Sequence, residues 1–222
     1  MAERPLPRPQ QEDLSDGARR IGIDLSVGQL DQLLRFLRLL QRWNQTYNLT
    51  AVRDPAMMLT HHVLDCLAVI EPLRREVGTI EGKRLLDVGS GAGLPGLVLA
   101  VVEPGLKVTC IDAVGKKAAF VRQAAAELAL SNVTSEHGRV ERLNAERSFD
   151  VIASRAFASL TDFTRLTRPL LAPGGTWMAM KGKFPESEVA ALTQASLTFH
   201  VEQLSVPGLP ADRCMVWLRP LQ

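Results

Sequence analysis

Apolar residues recur at every third or fourth position in the first third of the chain, which is the pattern of helices with one buried face. Ser26 predicts a helix N-cap. Asp54 followed by Pro55 predicts a second helix start, and the apolar spacing carries that helix to about Glu71. Proline and charge dominate the first dozen residues, where we expect a frayed end or a loose first turn. The pattern predicts an all-helical N-terminal extension over residues 1–80.

The periodicity changes after Gly82, where short apolar runs begin to alternate with helical patterns. This alternation predicts βαβ units and a mostly parallel sheet. The predicted strands are 84–88, 107–112, 133–137, 149–154 and 176–181. The predicted helices between them are 95–102, 116–130, 160–170 and 185–192. The last two strands, 197–204 and 214–218, are joined by a short proline-rich connector that cannot hold a crossover helix, so we expect them to pair antiparallel. The fold class is therefore α/β, Rossmann-like, with seven strands over residues 81–222.

Composition narrows the class of protein but does not identify a binding partner. The 222 residues are 46% hydrophobic and 23% charged, which excludes a disordered, collagen-like or coiled-coil chain. The net charge of +2 does not by itself indicate nucleic acid or membrane binding. Three cysteines without a CxxC pair predict neither a disulfide framework nor a thiol zinc site. We expect no signal peptide, no membrane span and a cytoplasmic location.

A glycine-rich turn follows the first predicted strand, with the sequence DVGSGAGLPG over residues 87–96. Glycines permit a tight turn and a close approach of the backbone to a ligand, and the following helix presents N–H groups to an anionic part of it. Asp112 ends the second strand, where a carboxylate can accept hydrogen bonds from both hydroxyls of a ribose. We therefore predict a nucleoside-containing cofactor bound by Gly89, Gly91, Gly93 and Asp112, against the alternative of a purely structural turn.

Two cofactor classes share this geometry, dinucleotides such as NAD and S-adenosylmethionine. Residues 91–96 also satisfy the dinucleotide pattern GxGxxG. The acidic residue before the glycine triple, the antiparallel hairpin and the expected lack of a second substrate domain favour S-adenosylmethionine. A dinucleotide-dependent oxidoreductase and a non-catalytic RNA-binding module remain as alternatives.

Basic residues follow the predicted strands at the sheet edge where ligands bind in such folds. Lys116 and Lys117 begin a helix, where cations oppose the macrodipole unless phosphates approach. The basic residues of these loops are Lys116, Lys117, Arg139, Arg142, Arg155, Lys181 and Lys183. They predict that phosphate groups approach this edge of the sheet. A second basic stripe, formed by Arg35, Arg38 and Arg42, is expected to be an ordinary solvated helix face.

The loop after the fourth strand, residues 154–157, contains neither an Asn/Asp-Pro-Pro-Tyr motif nor a Pro-Cys pair. Methylation of an exocyclic amine and a cysteine-adduct route to a pyrimidine therefore lack their usual residues. An acceptor that needs no activation remains, and guanine N7 qualifies because its lone pair is already free. Alignment of the reacting atoms then supplies most of the catalysis, on the order of 7–11 kcal/mol, without a general base.

These motifs together resemble the RsmG (GidB) family of bacterial small-subunit ribosomal RNA methyltransferases. The resemblance runs from about Leu30 to the C-terminus. The matching segments are WN and YNLT within 43–50, VRDP at 52–55, His62 with Asp65, DVGSGAGLPG at 87–96, Lys116-Lys117 with Phe120, SRA at 154–156, and Lys181-Gly182. It implies a class I S-adenosylmethionine-dependent methyltransferase fold and methyl transfer to N7 of guanine 527 in the 530 loop of 16S rRNA. Methylation of another RNA is the alternative.

The resemblance also implies roles for individual residues. Gly89 and Leu94 match cofactor contacts, Val140 and Glu141 match a pair beside the adenine, and Arg155 matches an arginine of the cofactor site. Arg155 is also the one candidate catalytic residue, and whether it meets the methionine carboxylate or an RNA phosphate stays open.

The expected partner is 16S rRNA or the small ribosomal subunit. The candidate RNA contacts are Lys116, Lys117, Arg139, Lys181, Lys183 and His62. His61 stands where the resembling family usually has arginine. Because adjacent helix residues point about 100° apart, we expect no metal at this histidine pair. We expect a monomer that binds neither metal nor membrane.

Overall fold

The structure is a computed structural model that describes residues 8–144, 146, 148–155, 157, 159–192 and 197–221, without the side chains of residues 8, 9 and 191. Helices cover a central sheet, and the N-terminal helices pack against one side. The helices are α1 (Arg8–Arg20), α2 (Val27–Tyr47), α3 (Pro55–Met58), α4 (Asp65–Leu67), α5 (Ile70–Val77), α6 (Gly96–Val102), α7 (Gly115–Glu127), α8 (Leu160–Thr167) and α9 (Glu186–Leu192). The strands are β1 (Arg84–Val88), β2 (Lys107–Asp112), β3 (Val133–His137), β4 (Phe149–Ser154), β5 (Leu171–Lys181), β6 (Leu197–Leu204) and β7 (Arg213–Pro220).

Helix α1 begins at Arg8, so the described residues among the first dozen, 8–12, are helical rather than frayed. Its side chains Leu14 and Ala18 are fully buried. A Cβ added at Gly17 would lie 2.8 Å from the Leu64 side chain, so the two segments are in close contact. This buried face stabilises α1, since tertiary packing supplies most helix stability in proteins. Residues 1–7 lie outside the described part of the chain.

Helix α2 begins with the predicted cap. The Ser26 hydroxyl accepts the Gln29 N–H at 3.2 Å, and the Gln29 side chain accepts the Ser26 N–H at 2.9 Å, which forms a complete capping box. The same Gln29 side chain donates to the carbonyls of Val101 and Val102 at 3.2 and 3.1 Å. Those carbonyls end α6 and have no partner within their helix. Gln29 therefore both caps α2 and joins it to α6.

The basic stripe on α2 differs from the expected solvated face. The Arg35 guanidinium donates to the carbonyl of Glu127 at the end of α7. Gln32 donates to the neighbouring Leu128 carbonyl at 2.8 Å. Arg42 is exposed, as expected. The polar residues of α2 thus dock the helix onto the C-terminal ends of two helices that cover the sheet.

The helical segment from Pro55 to Val77 begins at the predicted cap, where Asp54 accepts the Ala56 N–H at 2.9 Å. It continues past Glu71 and includes a π turn over Leu59–Leu64. Its length and mean hydropathy of 1.2 would suffice to span a membrane, but 67% of that apolar window is buried inside the protein. In this fold the segment is a core helix.

The seven strands form one sheet in the order β3-β2-β1-β4-β5-β7-β6. Strands β1 to β5 are parallel, and β7 is antiparallel to both of its neighbours, which confirms the predicted hairpin. The strand order reverses between β1 and β4, and ligands bind at such a switch point. One buried cluster extends from Leu14 in α1 to Trp217 in β7, so the N-terminal helices share a core with the sheet. A division of the chain at residue 80 stays a prediction.

Candidate functional site

Two cavities lie at the carboxyl ends of the parallel strands. The first, which we call the apolar cavity, has a volume of about 230 Å³ and lies beside β1, β2 and the loop after β3. The second, the basic cavity, has a volume of about 370 Å³ and lies between the π turn and the ends of β4, β5 and β7. The loop after β4 contributes to both, with Phe157 lining the apolar cavity and Arg155 the basic one. The two cavities are therefore parts of one site.

Asp112 is the principal polar group of the apolar cavity. Its Oδ2 accepts the Gly91 N–H at 2.9 Å, and its Oδ1 accepts the Val114 N–H at 2.8 Å. These bonds fix the carboxylate, and each oxygen keeps a second lone pair for a hydroxyl group. The apolar walls include Val88, Ile111, Ala113, Val140 and Leu166. A fixed carboxylate between apolar walls fits the ribose and base of a nucleoside.

The glycines of the turn have different surroundings. Gly89 has φ +67°, and an added Cβ would meet no protein atom within 4 Å, so its backbone is open to a ligand. At Gly93 an added Cβ would lie 2.4 Å from Cδ1 of Leu97, so packing alone requires a glycine there. Leu94 is buried in the core. Of the predicted cofactor residues, Gly89, Asp112, Val140 and Glu141 line the apolar cavity.

Asp87 holds the start of α6. Its Oδ2 accepts the Gly96 N–H at 2.8 Å, so this N–H does not face a ligand as the sequence suggested. A Cβ at Gly96 would lie 2.6 Å from Sγ of Cys110 and 2.9 Å from Asp87, which requires glycine at this contact. Burial raises the pKa of Asp87 to about 7, and the Gly96 N–H and Arg155 oppose that shift. Asp87 therefore has a structural role beneath the glycine turn.

In the basic cavity one carboxylate holds two arginines. Asp65 Oδ1 accepts from Arg213 Nε at 2.9 Å, and its Oδ2 lies 3.6 Å from Arg155 Nη1. Arg155 Nη1 also donates to the His61 carbonyl at 3.1 Å. The Asp65 side chain is only 4% exposed. Burial raises the pKa of Asp65, and the two guanidinium groups oppose that shift. The arrangement joins the N-terminal helices to the ends of β4 and β7.

His62 is the second buried polar group of this cavity. Its Nε2 lies 2.9 Å from the Thr50 hydroxyl, and its Nδ1 lies 3.5 Å from Arg155 Nη1. Burial and the Arg155 charge lower the pKa of His62 to about 4, so the ring is neutral at pH 7. Because a guanidinium can only donate, we assign Nδ1 as the acceptor and place the ring proton on Nε2. Thr50 is in turn anchored by Asn44, which accepts the Thr50 N–H at 2.9 Å.

The predicted RNA contacts are not equivalent. Lys116, Arg139 and Lys183 are exposed, and Lys117 is half-buried. Arg139 also lines the apolar cavity. Lys181 Nζ is ion-paired with Glu188 at 2.9 Å and is only 14% exposed, so its charge is already balanced. Of the SRA motif, Ala156 lies outside the described residues.

Sequence reasoning missed Arg213 altogether. The predicted antiparallel pairing joined only the last two strands to each other, and Arg213 stood in the predicted connector between them, so no prediction placed it at the end of β5. In the structure β7 pairs with β5, with Cys214 opposite Lys181. Asp65 was noted in a motif, but its role in holding two arginines was not predicted. Among the residues described, no three His, Cys, Asp or Glu side chains are grouped as metal ligands would be.

Solved structures share this fold at low sequence identity. A DhpI–SAH complex is 18% identical with a TM-score of 0.56, over 89% of this chain and 99% of that one. The fibrillarin of Aeropyrum pernix, with natively bound S-adenosyl-L-methionine, is 14% identical with a TM-score of 0.51, over 63% of this chain and 67% of that one. The predicted methyltransferase fold is thereby confirmed.

Sequence relatives are much closer. The ribosomal RNA small subunit methyltransferase G of Leptothrix cholodnii is 57% identical over 213 residues, which are 96% of this chain and 97% of the relative. The enzyme of the same name from Acidovorax ebreus is 58% identical, over 94% of each chain. The family model for GidB, rRNA small subunit methyltransferase G, matches residues 29–216. With the glycine turn, Asp112 and the Arg155 loop forming one site, the chain belongs to the rRNA small subunit methyltransferase G family.

Proposed function

We propose that the protein transfers a methyl group to N7 of a guanine in the 530 loop of 16S rRNA, guanine 527 in conventional rRNA numbering. The observation that carries the proposal is the pair of adjoining cavities. One fits a nucleoside cofactor, and the other is lined by three cationic side chains, Arg155, Lys181 and Arg213. Membership of the family establishes an rRNA methyltransferase, and the position of the target base is the proposed part.

S-adenosylmethionine is the cofactor of this family, and when bound it supplies an activated methyl group on a sulfonium. The chain's own residues hold and orient it. Asp112 would accept the ribose hydroxyls, Val140 would pack against the adenine and Glu141 would lie beside it, and the open backbone at Gly89 would admit the ligand. Arg155, at the switch point, is placed to meet the methionine carboxylate or an RNA phosphate.

Among the described side chains that line the basic cavity, the two buried acid–base groups, Asp65 and His62, already have partners, which supports an acceptor that has no proton to lose. Both oxygens of Asp65 face arginines. Both ring nitrogens of His62 have partners, and the ring is neutral. Guanine N7 has a free lone pair, so the protein needs to position and align it and to exclude water. An exocyclic amine would need a proton acceptor at this place.

The exposed cations at the same edge are suited to the RNA backbone. Lys116, Arg139 and Lys183 follow three different strands and are open to solvent. Contacts of this kind position a nucleic acid without reading its sequence, and they weaken as salt rises. We therefore expect rRNA binding to depend on ionic strength. We also place the protein in the cytoplasm with its ribosomal substrate, as a monomer.

The proposal is tested by incubating the protein and labelled S-adenosylmethionine with small ribosomal subunits, naked 16S rRNA and transfer RNA from cells that lack this modification. N7-methylguanine is then located by cleavage at the modified base. We expect one labelled guanine, in the 530 loop. A label at another base of 16S rRNA, or on transfer RNA alone, would overturn the assignment of the target. The two ribosomal arms also show whether the substrate is naked rRNA or the assembled subunit.

A further inference from the structure

Arg213 lies in the basic cavity, where its guanidinium is held by Asp65. We propose that the basic cavity binds the methyl-accepting purine and that Arg213, held by Asp65, donates a hydrogen bond to O6 of the base and thereby selects guanine over adenine. The inference rests on the proposed function, because it assumes that the accepting atom is a purine N7. It adds a specificity-determining residue and a reason for the choice of base.

The position of the cavity supports this use. It opens at the carboxyl ends of β4 and β5, next to the loop that also lines the apolar cavity. A group bound there would lie beside the cofactor rather than in its place. The volume of about 370 Å³ is within the range of pockets that hold small organic groups. A base turned out of its RNA stack is such a group, and enzymes that modify bases bind them in this way.

The hydrogen-bonding groups of the cavity are mostly donors. Asp65 is almost fully buried, with its oxygens facing Arg213 and Arg155. The acceptor nitrogen of His62, Nδ1, faces Arg155, and its Nε2–H donates to the Thr50 hydroxyl. The half-buried His61 is the exception among the lining side chains described, since its Nδ1 contacts the Met57 carbonyl and its Nε2 is left as an acceptor. A ligand that fits must therefore present acceptors to the arginines.

Arg213 is the arginine of the basic cavity that still has a hydrogen-bond donor available for the methyl-accepting base. Its Nε donates to Asp65 and its Nη1 to the Asp212 carbonyl, whereas Nη2 has no hydrogen bond to any residue that the structure describes. Lys181 is less available, because its ammonium group is paired with Glu188 and lies 3.4 Å from the Phe157 carbonyl. Arg155 is also engaged, because its Nη1 donates to the His61 carbonyl in the π turn and lies 3.6 Å from Asp65.

Adenine and guanine differ at position 6 and share N7. Guanine has a carbonyl oxygen there, which accepts hydrogen bonds, and adenine has an amino group, which donates them. An amino group against Arg213 would leave two sets of donors facing each other, with no acceptor between them. Sites built for one hydrogen-bonding pattern reject the opposite one strongly, because their buried groups are left unpaired. The donor-rich wall therefore favours O6.

The first test uses the wild-type protein and changes only the target base. Small subunits are assembled from 16S rRNA in which the target is guanine, inosine or 2,6-diaminopurine. Inosine keeps O6 and lacks the 2-amino group, and diaminopurine keeps the 2-amino group and replaces O6. We expect inosine to be bound and methylated within about threefold of guanine and diaminopurine at least tenfold less. Equal reaction of diaminopurine and guanine, or a failure of inosine, would overturn the role of O6.

The second test concerns the residue itself. Arg213→Ala should reduce kcat/KM for the guanine substrate at least tenfold and weaken binding of that substrate by the cofactor-free protein. The variant should also discriminate less between guanine and diaminopurine. Its affinity for S-adenosylmethionine, measured by calorimetry, should stay within about twofold of the wild type. The matched control is Arg219→Ala at the other end of β7, where the arginine pairs with Glu76 at 2.9 Å outside the cavity. That variant should behave as wild type in every assay.

Arg213→Lys covers the case in which the alanine variant unfolds, because it keeps a cation near Asp65 and loses the planar donors. It should retain cofactor affinity and lose substrate preference. Unchanged kinetics and preference in a folded Arg213 variant would refute the assignment. A wild-type protein that leaves the guanine target unmodified would instead refute the proposed function, so the two failures are distinguishable.

Discussion

The apolar and basic cavities adjoin one another but are built in different ways. The apolar cavity is formed mainly by the ends of β1 and β2 and the loop after β3, with Phe157 after β4 and Leu166 in α8, and backbone N–H groups fix its carboxylate, Asp112. The basic cavity is assembled from the π turn, β4, β5 and β7, and side chains fix its carboxylate, Asp65. The first site is therefore a property of local chain geometry, and the second depends on how the N-terminal helices dock.

Burial acts in opposite directions on the two sides. It raises the pKa of Asp87, below the glycine turn, from 3.8 to about 7, and it lowers the pKa of His62 from 6.5 to about 4. In both cases burial favours the neutral form, as expected where the charged form loses its hydration. We therefore expect the largest measurable difference between the two regions in how each contributes to the pH dependence of the free energy of unfolding.

Between pH 4 and 6.5 the unfolded chain carries a proton on His62 that the folded protein lacks. The stability that His62 contributes is thus present above pH 6.5 and is lost as the pH falls towards 4, by about 3 kcal/mol. For Asp87 the folded protein holds the extra proton between pH 3.8 and 7, so its contribution is present below 3.8 and is lost as the pH rises through 7, by about 4 kcal/mol. In the wild type the two contributions nearly cancel over the shared range.

Single variants should reveal how much each residue contributes to the pH dependence of the free energy of unfolding. Urea unfolding of His62→Gln, relative to wild type, should show the variant gaining about 1.4 kcal/mol for each pH unit below 6.5. For Asp87→Asn, the free energy of unfolding relative to wild type should rise by a similar amount for each pH unit between 3.8 and 7. Parallel stability profiles for the wild type and both variants would show that neither group is held neutral by burial.

Asp112→Ala should have the next largest effect. It removes the acceptor for two backbone N–H groups and for the ribose, and hydrogen bonds to a charged group contribute about 1.5–3 kcal/mol each. We expect the affinity for S-adenosylmethionine to fall about 100-fold by calorimetry, which is about 2.7 kcal/mol. Asp150→Ala is the control, because Asp150 also accepts a backbone N–H, from Arg84 at 2.8 Å, but outside both cavities. Equal loss of affinity in the two variants would contradict the role of Asp112.

The contrast between the cavities also explains what the sequence could reveal. The glycine turn and Asp112 lie in consecutive segments whose spacing follows from the βαβ fold, so strand prediction was enough to bring them together. Strands β1 to β4 were predicted with their observed limits. Arg213 and Asp65 are 148 positions apart, and only the complete strand order with the docking of the π turn joins them. No local pattern records such a contact, and the π turn has no evident signal in the sequence.

Two glycines in the turn can be compared directly, because one is required by packing and the other leaves the backbone open to a ligand. Gly89 and Gly93 have similar φ angles of +67° and +75°, so an alanine is strained to a similar extent at both. Only at Gly93 does the added Cβ overlap a neighbour, Leu97. Gly93→Ala should therefore lose about 2 kcal/mol more stability than Gly89→Ala. Gly89→Ala should retain more stability and lose cofactor affinity. A reversed order in thermal unfolding would show that the turn rearranges.

The smallest effect concerns the docking of α2, on which the shape of the basic cavity depends. Arg35→Ala removes the guanidinium that donates to the last turn of α7, and we expect a loss of about 1 kcal/mol in urea unfolding. Arg42→Ala, at an exposed position of the same helix, should lose less than about 0.5 kcal/mol. Because the apolar cavity does not include α2, calorimetry should show unchanged S-adenosylmethionine affinity in both variants. A weaker cofactor affinity in Arg35→Ala would mean that the two cavities respond together to the docking of the N-terminal helices, since α2 contacts the helices that follow β1 and β2.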